Sequence, residues 1–148
     1  MWRRVRYVLT LLALCAIATC PAAKRSCNAK IRAREAEELC NAIADKVEQR
    51  VALTGHVPAT AAPLSPGVSC CEQGGQCKVD LDNWSAPGWK DLEFSIDDPH
   101  RYQYAYVPDP GGQSATVRAV GNLDCDGAAS TYVLKLTVKG TALERQEP

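Results

Sequence analysis

The spacing of hydrophobic positions changes along the chain, from a helical period to a strand period. Within residues 27–53, apolar positions that include Cys40, Ile43 and Val47 recur every three or four residues. This spacing places apolar side chains on one side of a helix and polar side chains on the other. We therefore predict an amphipathic helix over residues 24–54, with a solvated charged side.

Four later segments alternate apolar and polar side chains, which is the pattern of half-buried strands. The apolar members are Leu92, Phe94 and Ile96; Tyr102, Tyr104 and Tyr106; Val117 and Ala119; and Tyr132, Leu134, Leu136 and Val138. Short turn-forming sequences separate the segments, which favours an antiparallel sheet within residues 70–140. The Pro- and Ala-rich residues 55–69 are predicted to form a loop, and residues 141–148 a tail.

The apolar side of the helix and the apolar face of the sheet bury each other most simply as two layers. The predicted fold is therefore α+β: one long N-terminal helix packed on a four-stranded antiparallel sheet and stabilised by disulfides. The chain has 148 residues, of which 46% are hydrophobic and 23% charged. These values are typical of one packed domain plus a targeting segment.

The formal net charge is zero, so nucleic acid is not a predicted partner. Residues 1–23 contain three arginines and no acid, and the uncharged run 7–20 is followed by small residues. This arrangement is typical of a secretory signal peptide, and the run is shorter than the roughly 20 residues of a spanning helix. A retained short membrane anchor and lipidation at Cys20 are the alternatives. All three interpretations imply export to the periplasm, the cell envelope or the exterior.

Six cysteines follow the predicted signal, and a disulfide framework requires an even number. They are Cys27, Cys40, Cys70, Cys71, Cys77 and Cys125. On a continuous helix the first two would lie about 20 Å apart, too far for a bond. A glycine pair, Gly74 and Gly75, favours a bond from Cys77 to Cys70 or Cys71. The other member of that pair, together with Cys27, Cys40 and Cys125, is predicted to form disulfides that tie the helix to the sheet. The alternative is that the cysteines are free buried thiols.

A loop before the last predicted strand contains closely spaced oxygen side chains. Asn122, Asp124 and Asp126 alternate with other residues and precede Gly127. Alternating oxygens of this kind suit a hard cation such as calcium. However, Val133 stands where a calcium loop of the helix–loop–helix kind carries glutamate. The alternative is a β-turn in which the side chains bond their own backbone, and no other cofactor is predicted.

The sequence predicts a protein that is not an enzyme. It contains only two histidines, His56 and His100, and it has neither a G-x-S-x-G motif nor a glycine loop for phosphate. Asp97 and Asp98 precede a proline, as turn-forming residues do.

Several motifs together resemble the globular region of type IV pilin-like proteins, particularly those of the delta-proteobacterial or myxobacterial kind. The motifs are Trp84 and Trp89, LEFS at 92–95, YQYAY at 102–106 and AVGNLDCDGAASTY at 119–132. The resemblance implies a long helix on an antiparallel sheet. It also implies a structural or interaction role in a Gram-negative cell envelope, as an accessory of type IV pili or of a pilus-like secretion system.

The resemblance further implies other pilin-like or envelope proteins as partners, and the membrane as a partner if the N-terminal segment is retained. The peptidase site and long apolar helix of such pilins do not precede Pro21. A secreted disulfide-rich binding module, such as an adhesin or inhibitor, is the alternative function.

Overall fold

The computed structural model describes residues 34–148, and the packing discussed below lies within the compact unit Glu35–Pro148. The predicted signal or anchor and Cys27 lie outside the described residues. The elements are helix α1 (34–54), strand β1 (Ala62–Ser65), a 3-10 helix (Leu81–Trp84), helix α2 (Pro87–Leu92), and strands β2 (Gln103–Pro108), β3 (Ser114–Gly121), β4 (Ser130–Lys139) and β5 (Ala142–Gln146).

The five strands form one antiparallel meander, in which each strand pairs with the next along the chain. The central register aligns Tyr106, Val117 and Leu134 across β2, β3 and β4. All three side chains are fully buried. The register therefore gathers the apolar positions of neighbouring strands on one side, which we call the inner face.

Helix α1 contributes its apolar side to the core that the inner face forms. Cys40, Ile43 and Val47 are fully buried and belong to the same hydrophobic cluster as Val117 and Leu134. At roughly 1.5–3 kcal/mol for each fully buried large aliphatic side chain, this contact contributes much of the stability of the fold.

Helix α2 packs beside β1 and contributes Trp89 and Leu92 to the core. Pro87 occupies its first turn, where a missing N–H is tolerated. Trp89 is fully buried, and its Nε1 donates a hydrogen bond to Ser65 Oγ at 2.8 Å. A Cβ on Gly88 would collide with the Ala61 carbonyl oxygen, so only glycine allows this close approach.

Arg145 of β5 connects the edge of the sheet to α1. Its Nη2 lies 2.6 Å from Asp45 Oδ1 and from Glu48 Oε2, and its Nη1 donates to Asn41 Oδ1 at 3.1 Å. Partial burial lowers the pKa of this guanidinium, but the hydrogen bonds to the two carboxylates outweigh burial and raise the pKa above its ordinary value. Part of the charged side of α1 therefore binds the sheet. The sequence had predicted that this side is solvated throughout.

The predicted fold class is wrong in its strand count and in its pilin-like form. The sheet has five strands rather than four, and α1 is not the long N-terminal helix of a pilin-like architecture. Residues 92–96 form no strand, because Leu92 ends α2 and the following residues join no ladder. Instead, β1 lies within the predicted loop 55–69, and β5 lies within the predicted tail 141–148.

The error at residues 92–96 has a physical reason. Leu92, Phe94 and Ile96 are buried, whereas Glu93 and Ser95 are exposed. The alternation therefore predicted correctly which side chains enter the core. Period two reports alternating burial of an extended segment, and it does not report whether the backbone pairs with a neighbour.

Candidate functional site

The sheet has a second face, turned away from α1, which we call the outer face. It is formed by alternate residues of β2 to β5: Gln103, Ala105, Val107, Ser114, Thr116, Arg118, Val120, Thr131, Val133, Lys135, Thr137, Lys139, Ala142, Glu144 and Gln146. Most of these side chains are exposed or half-buried, and Val107 is 55% exposed. The small Ala105 is the buried exception. A largely solvent-exposed sheet face in this part of the chain is the broadest candidate surface for binding.

Two cations lie near the middle of the outer face. Lys135 stands opposite Thr116, and Arg118 stands opposite Val133. Arg118 and Lys135 are thus diagonal neighbours on adjacent strands, and the Cα atoms of such positions are about 7–8 Å apart. Both are exposed, and neither forms an ion pair with another described residue. Their charges are available to an incoming partner.

The third cation of the outer face is partly neutralised. Lys139 Nζ lies 3.7 Å from Glu144 Oε2, and both side chains are more than 60% exposed. Exposed pairs of this kind contribute little to stability. Glu144 is also the only acid on the outer face, which therefore carries more positive than negative charge.

The basic outer face contrasts with the charge of the rest of the described chain. Residues 34–100 carry 12 acidic and five basic residues, whereas residues 101–148 carry five of each. The acidic surplus therefore lies in the part of the sequence that contains α1 and α2. The outer face is the basic side of an acidic unit.

The uncharged residues of the outer face suit a protein partner. Val107, Val120 and Val133 provide aliphatic surface, while Thr116 and Thr137 provide hydroxyl groups. A few cations within a mixed aliphatic and polar surface match the composition of protein interfaces, in which arginine is enriched. A site for a highly charged polymer would carry a denser array of cations.

The predicted bond between Cys77 and one member of the adjacent cysteine pair is confirmed. Cys70 bonds Cys77, with Cα atoms 4.3 Å apart. Cys71 bonds Cys125, with Cα atoms 5.5 Å apart, and connects the loop after β1 to the turn between β3 and β4. Neither bridge joins α1 to the sheet, contrary to the prediction. Two disulfides fit an oxidising, exported environment.

The prediction that Cys40 forms a disulfide is wrong, because the structure gives it a free and fully buried thiol. Burial raises the pKa of this thiol from 9.0 to about 12. Cys40 lies on the apolar side of α1, where a reduced cysteine behaves as a small hydrophobic side chain. Its place in the apolar repeat was the signal that should have favoured this role over cross-linking.

The candidate calcium residues lie in the loop 122–129 between β3 and β4. Asp126 Oδ1 accepts a hydrogen bond from the backbone N–H of Ala128 at 2.8 Å, as in the turn interpretation. Asp124 and Asp126 are exposed, and Asn122 is half-buried. Within residues 34–148, no group of three or more His, Cys, Asp or Glu side chains is arranged to hold a metal. Calcium binding at this turn stays a prediction.

The two histidines occupy different environments. His100 is only 3% exposed, and its Nδ1 donates to the Asp98 carbonyl oxygen at 3.1 Å. Its ring packs between Trp84 and Tyr104. His56 is exposed, and its Nδ1 lies 3.0 Å from Gln113 Nε2. The burial of His100 removes it from contact with a substrate, and its surroundings are those of a core residue.

A small cleft lies at the end of α1. It encloses about 310 Å³ and is lined by Arg50, Thr54, His56, Val57, Pro58, Ala59 and Asp91. Arg50 Nη2 donates to the Asp91 carbonyl oxygen at 2.9 Å and to Glu93 Oε1 at 2.8 Å. Because the main cation of the cleft already has an acidic partner, the cleft is a weaker candidate site than the outer face.

No protein-family profile, curated protein or solved structure matches the chain. The comparisons therefore leave the resemblance to pilin-like proteins as a sequence-based prediction. Among the residues that the structure describes, no helix combines the length and apolar character needed to cross a membrane.

Proposed function

We propose that this chain is an exported, non-enzymatic interaction protein of the cell envelope, which binds its partner through the outer face of its sheet. The observation that carries the proposal is the pair Arg118 and Lys135. Both cations are exposed near the middle of a broad surface, and both lack a carboxylate partner within the described residues. Neither contributes to the core, so selection for folding alone does not require their positive charge.

The two disulfides support a location outside the cytosol, because reducing conditions inside the cell disfavour such bonds. The basic and apolar pattern of residues 1–23 supports the same location. The finer proposal is the periplasm or outer surface of a Gram-negative bacterium, which rests on the sequence resemblance.

Two roles are candidates for this protein. The first is a structural accessory, including the pilus-linked role that the resemblance implies. The second is a secreted binding module such as an adhesin or inhibitor, and the two disulfides favour it equally. Cell fractionation separates these candidates, since an envelope accessory remains with the cells, in the periplasmic or the membrane fraction, and a secreted module appears in the medium.

The proposal is tested by measuring the native size of the chain in gently solubilised envelope extracts. We expect wild type to migrate as a complex, and R118E/K135E to migrate as a monomer while keeping its disulfides. The control K78E/K90E reverses two exposed charges outside the outer face and should retain the complex. A complex that survives R118E/K135E unchanged would contradict the proposal.

A further inference from the structure

We propose that the partner bound by the outer face is a second copy of this chain, docked through its acidic α1 side. The inference rests on the proposed function and adds the identity of the partner. Contacts of this kind place one copy's sheet against the next copy's helix. The charge distribution within the described residues carries the inference.

The exposed side of α1 offers acids that complement the outer face. Glu37 and Glu38 are exposed, and neither forms an ion pair with another described residue. By contrast, Glu35, Asp45 and Glu48 already pair with arginines of the sheet region. Glu37 and Glu38 are consecutive and point about 100° apart around the helix, so each would meet a cation of the outer face separately.

Both surfaces also expose aliphatic side chains. Leu53 of α1 is 80% exposed, and Val107 of the outer face is 55% exposed. Exposed apolar area on each surface supplies a hydrophobic contribution that charge attraction alone does not provide.

The positions of the two surfaces determine the kind of assembly. Since α1 covers the inner face, its solvent side and the outer face point in opposite directions. Contact between unlike surfaces is heterologous, and it leaves one surface of each kind free for another copy. The assembly would therefore continue head to tail rather than stop at a symmetric dimer.

The basic N-terminal segment is not a suitable occupant of the outer face. Residues 24–33 carry four basic residues and no acid, so this segment shares the charge of Arg118 and Lys135. Like charges placed opposite each other oppose association. An acidic surface is required, and the α1 side of the same protein supplies one.

Sedimentation velocity of the purified exported chain tests the inference. Wild type should form larger species at about 20 mM salt and lose them at about 500 mM salt, because screening weakens contacts between exposed charges. R118E/K135E and E37K/E38K should each remain monomeric at low salt. Circular dichroism melting of both variants checks that they fold.

Mixing the two variants gives the sharpest test. The mixture pairs an acidic outer face with a basic α1 side, and a basic outer face with an acidic α1 side. We expect the weight-average mass at low salt to rise at least about twofold above that of either variant alone. A mixture that stays monomeric would overturn the inference, as would assembly of R118E/K135E alone to the wild-type size.

A monomeric wild type that binds heparin, with binding lost in R118E/K135E, would also overturn the second-copy partner. That result would leave the outer face as a binding surface and would identify an anionic polysaccharide as its ligand class. The native-size experiment in envelope extracts fails separately if the outer face binds nothing. The two experiments thus distinguish a wrong partner from a wrong surface.

Discussion

The two faces of the sheet are built from the same strands and differ in their exposure to solvent. Tyr104, Val117 and Leu134 of the inner face are fully buried. Arg118 and Lys135, one position further along β3 and β4, are exposed on the outer face. Since both faces share one set of backbone hydrogen bonds, side-chain chemistry alone separates the face that stabilises the fold from the face available for binding.

This arrangement shows how a small disulfide-bonded chain specifies two surfaces at once. Successive side chains of a strand point to opposite sides, so a shift of one residue in register would exchange the two faces. The buried inner face fixes the register, and the register in turn fixes where the cations of the outer face stand. Substitutions on neighbouring positions should therefore have very different effects.

The largest expected difference lies between Leu134→Ala and Lys135→Ala. The first substitution removes a fully buried side chain and should lower the free energy of unfolding by about 2–5 kcal/mol. The second changes an exposed side chain and should change it by less than about 0.5 kcal/mol. Urea unfolding measures the free energy of unfolding of both variants. Equal losses in the two variants would contradict the difference between the inner and outer faces.

The next effect concerns the Cys71–Cys125 disulfide. Replacing both cysteines with serine should lower the free energy of unfolding by about 2–4 kcal/mol, because the bond closes a long loop with a sequence separation of 54. Cys125 is exposed, whereas Cys70 and Cys77 are buried. Mild reductant should therefore open Cys71–Cys125 first.

Differential alkylation followed by mass spectrometry measures that order. The result that contradicts it is labelling of Cys70 and Cys77 before Cys71 and Cys125. The outer face should keep its binding properties in C71S/C125S, provided that the variant remains folded.

A smaller effect is expected from the buried thiol of Cys40 at alkaline pH. Burial raises its pKa from 9.0 to about 12, so the folded state favours the neutral thiol. The resulting stability is fully present below pH 9 and is lost as pH rises from 9 towards about 12. The loss for this one group is up to about 1.4 kcal/mol per pH unit.

Urea unfolding between pH 8 and about 10.5 measures this dependence, and Cys40→Ala is the matched variant. Burial also raises the pKa of Tyr132 to about 12, and it raises the pKa of Tyr104 and of Tyr106. Part of the loss of stability at alkaline pH therefore remains in Cys40→Ala. The slope for Cys40→Ala should be shallower than that of wild type. Identical slopes would show that the thiol is not buried in the folded chain.

The smallest expected effect on stability comes from a substitution on the outer face. Lys139→Ala removes an exposed pair with Glu144 and should change the free energy of unfolding by less than about 0.5 kcal/mol. Thermal unfolding at two salt concentrations measures it. A loss above about 1 kcal/mol would mean that the outer face contributes to folding.

Local patterns in the sequence predicted the inner face better than they predicted the sheet. The alternation at Tyr102, Tyr104 and Tyr106 placed these three side chains in the core, where the structure buries them. Strand β5 was missed because it has only one buried apolar residue, Leu143. Its pairing with β4 across Gly140 and Thr141 is local, but an amphipathic period cannot be read from a single apolar position.

The cysteine pairing shows the same limit. Cys70 and Cys77 are close in sequence, and glycines between them favour a turn, so their bond followed from the sequence pattern. The Cys71–Cys125 bond joins two distant turns whose meeting depends on the whole sheet. The outer face was missed for a different reason, because polar positions of a strand look like an ordinary solvated surface. Its available signal was the excess of cations among the polar residues of β3 and β4.

The reactivity of Lys135 in intact cells tests most directly whether the outer face is the binding surface. Acylation is measured by mass spectrometry in cells and in the isolated monomer at high salt, with exposed Lys78 as the internal reference. We predict that Lys135 is protected in cells relative to the monomer, while Lys78 reacts equally in both. Equal reactivity of Lys135 in the two samples would contradict the account.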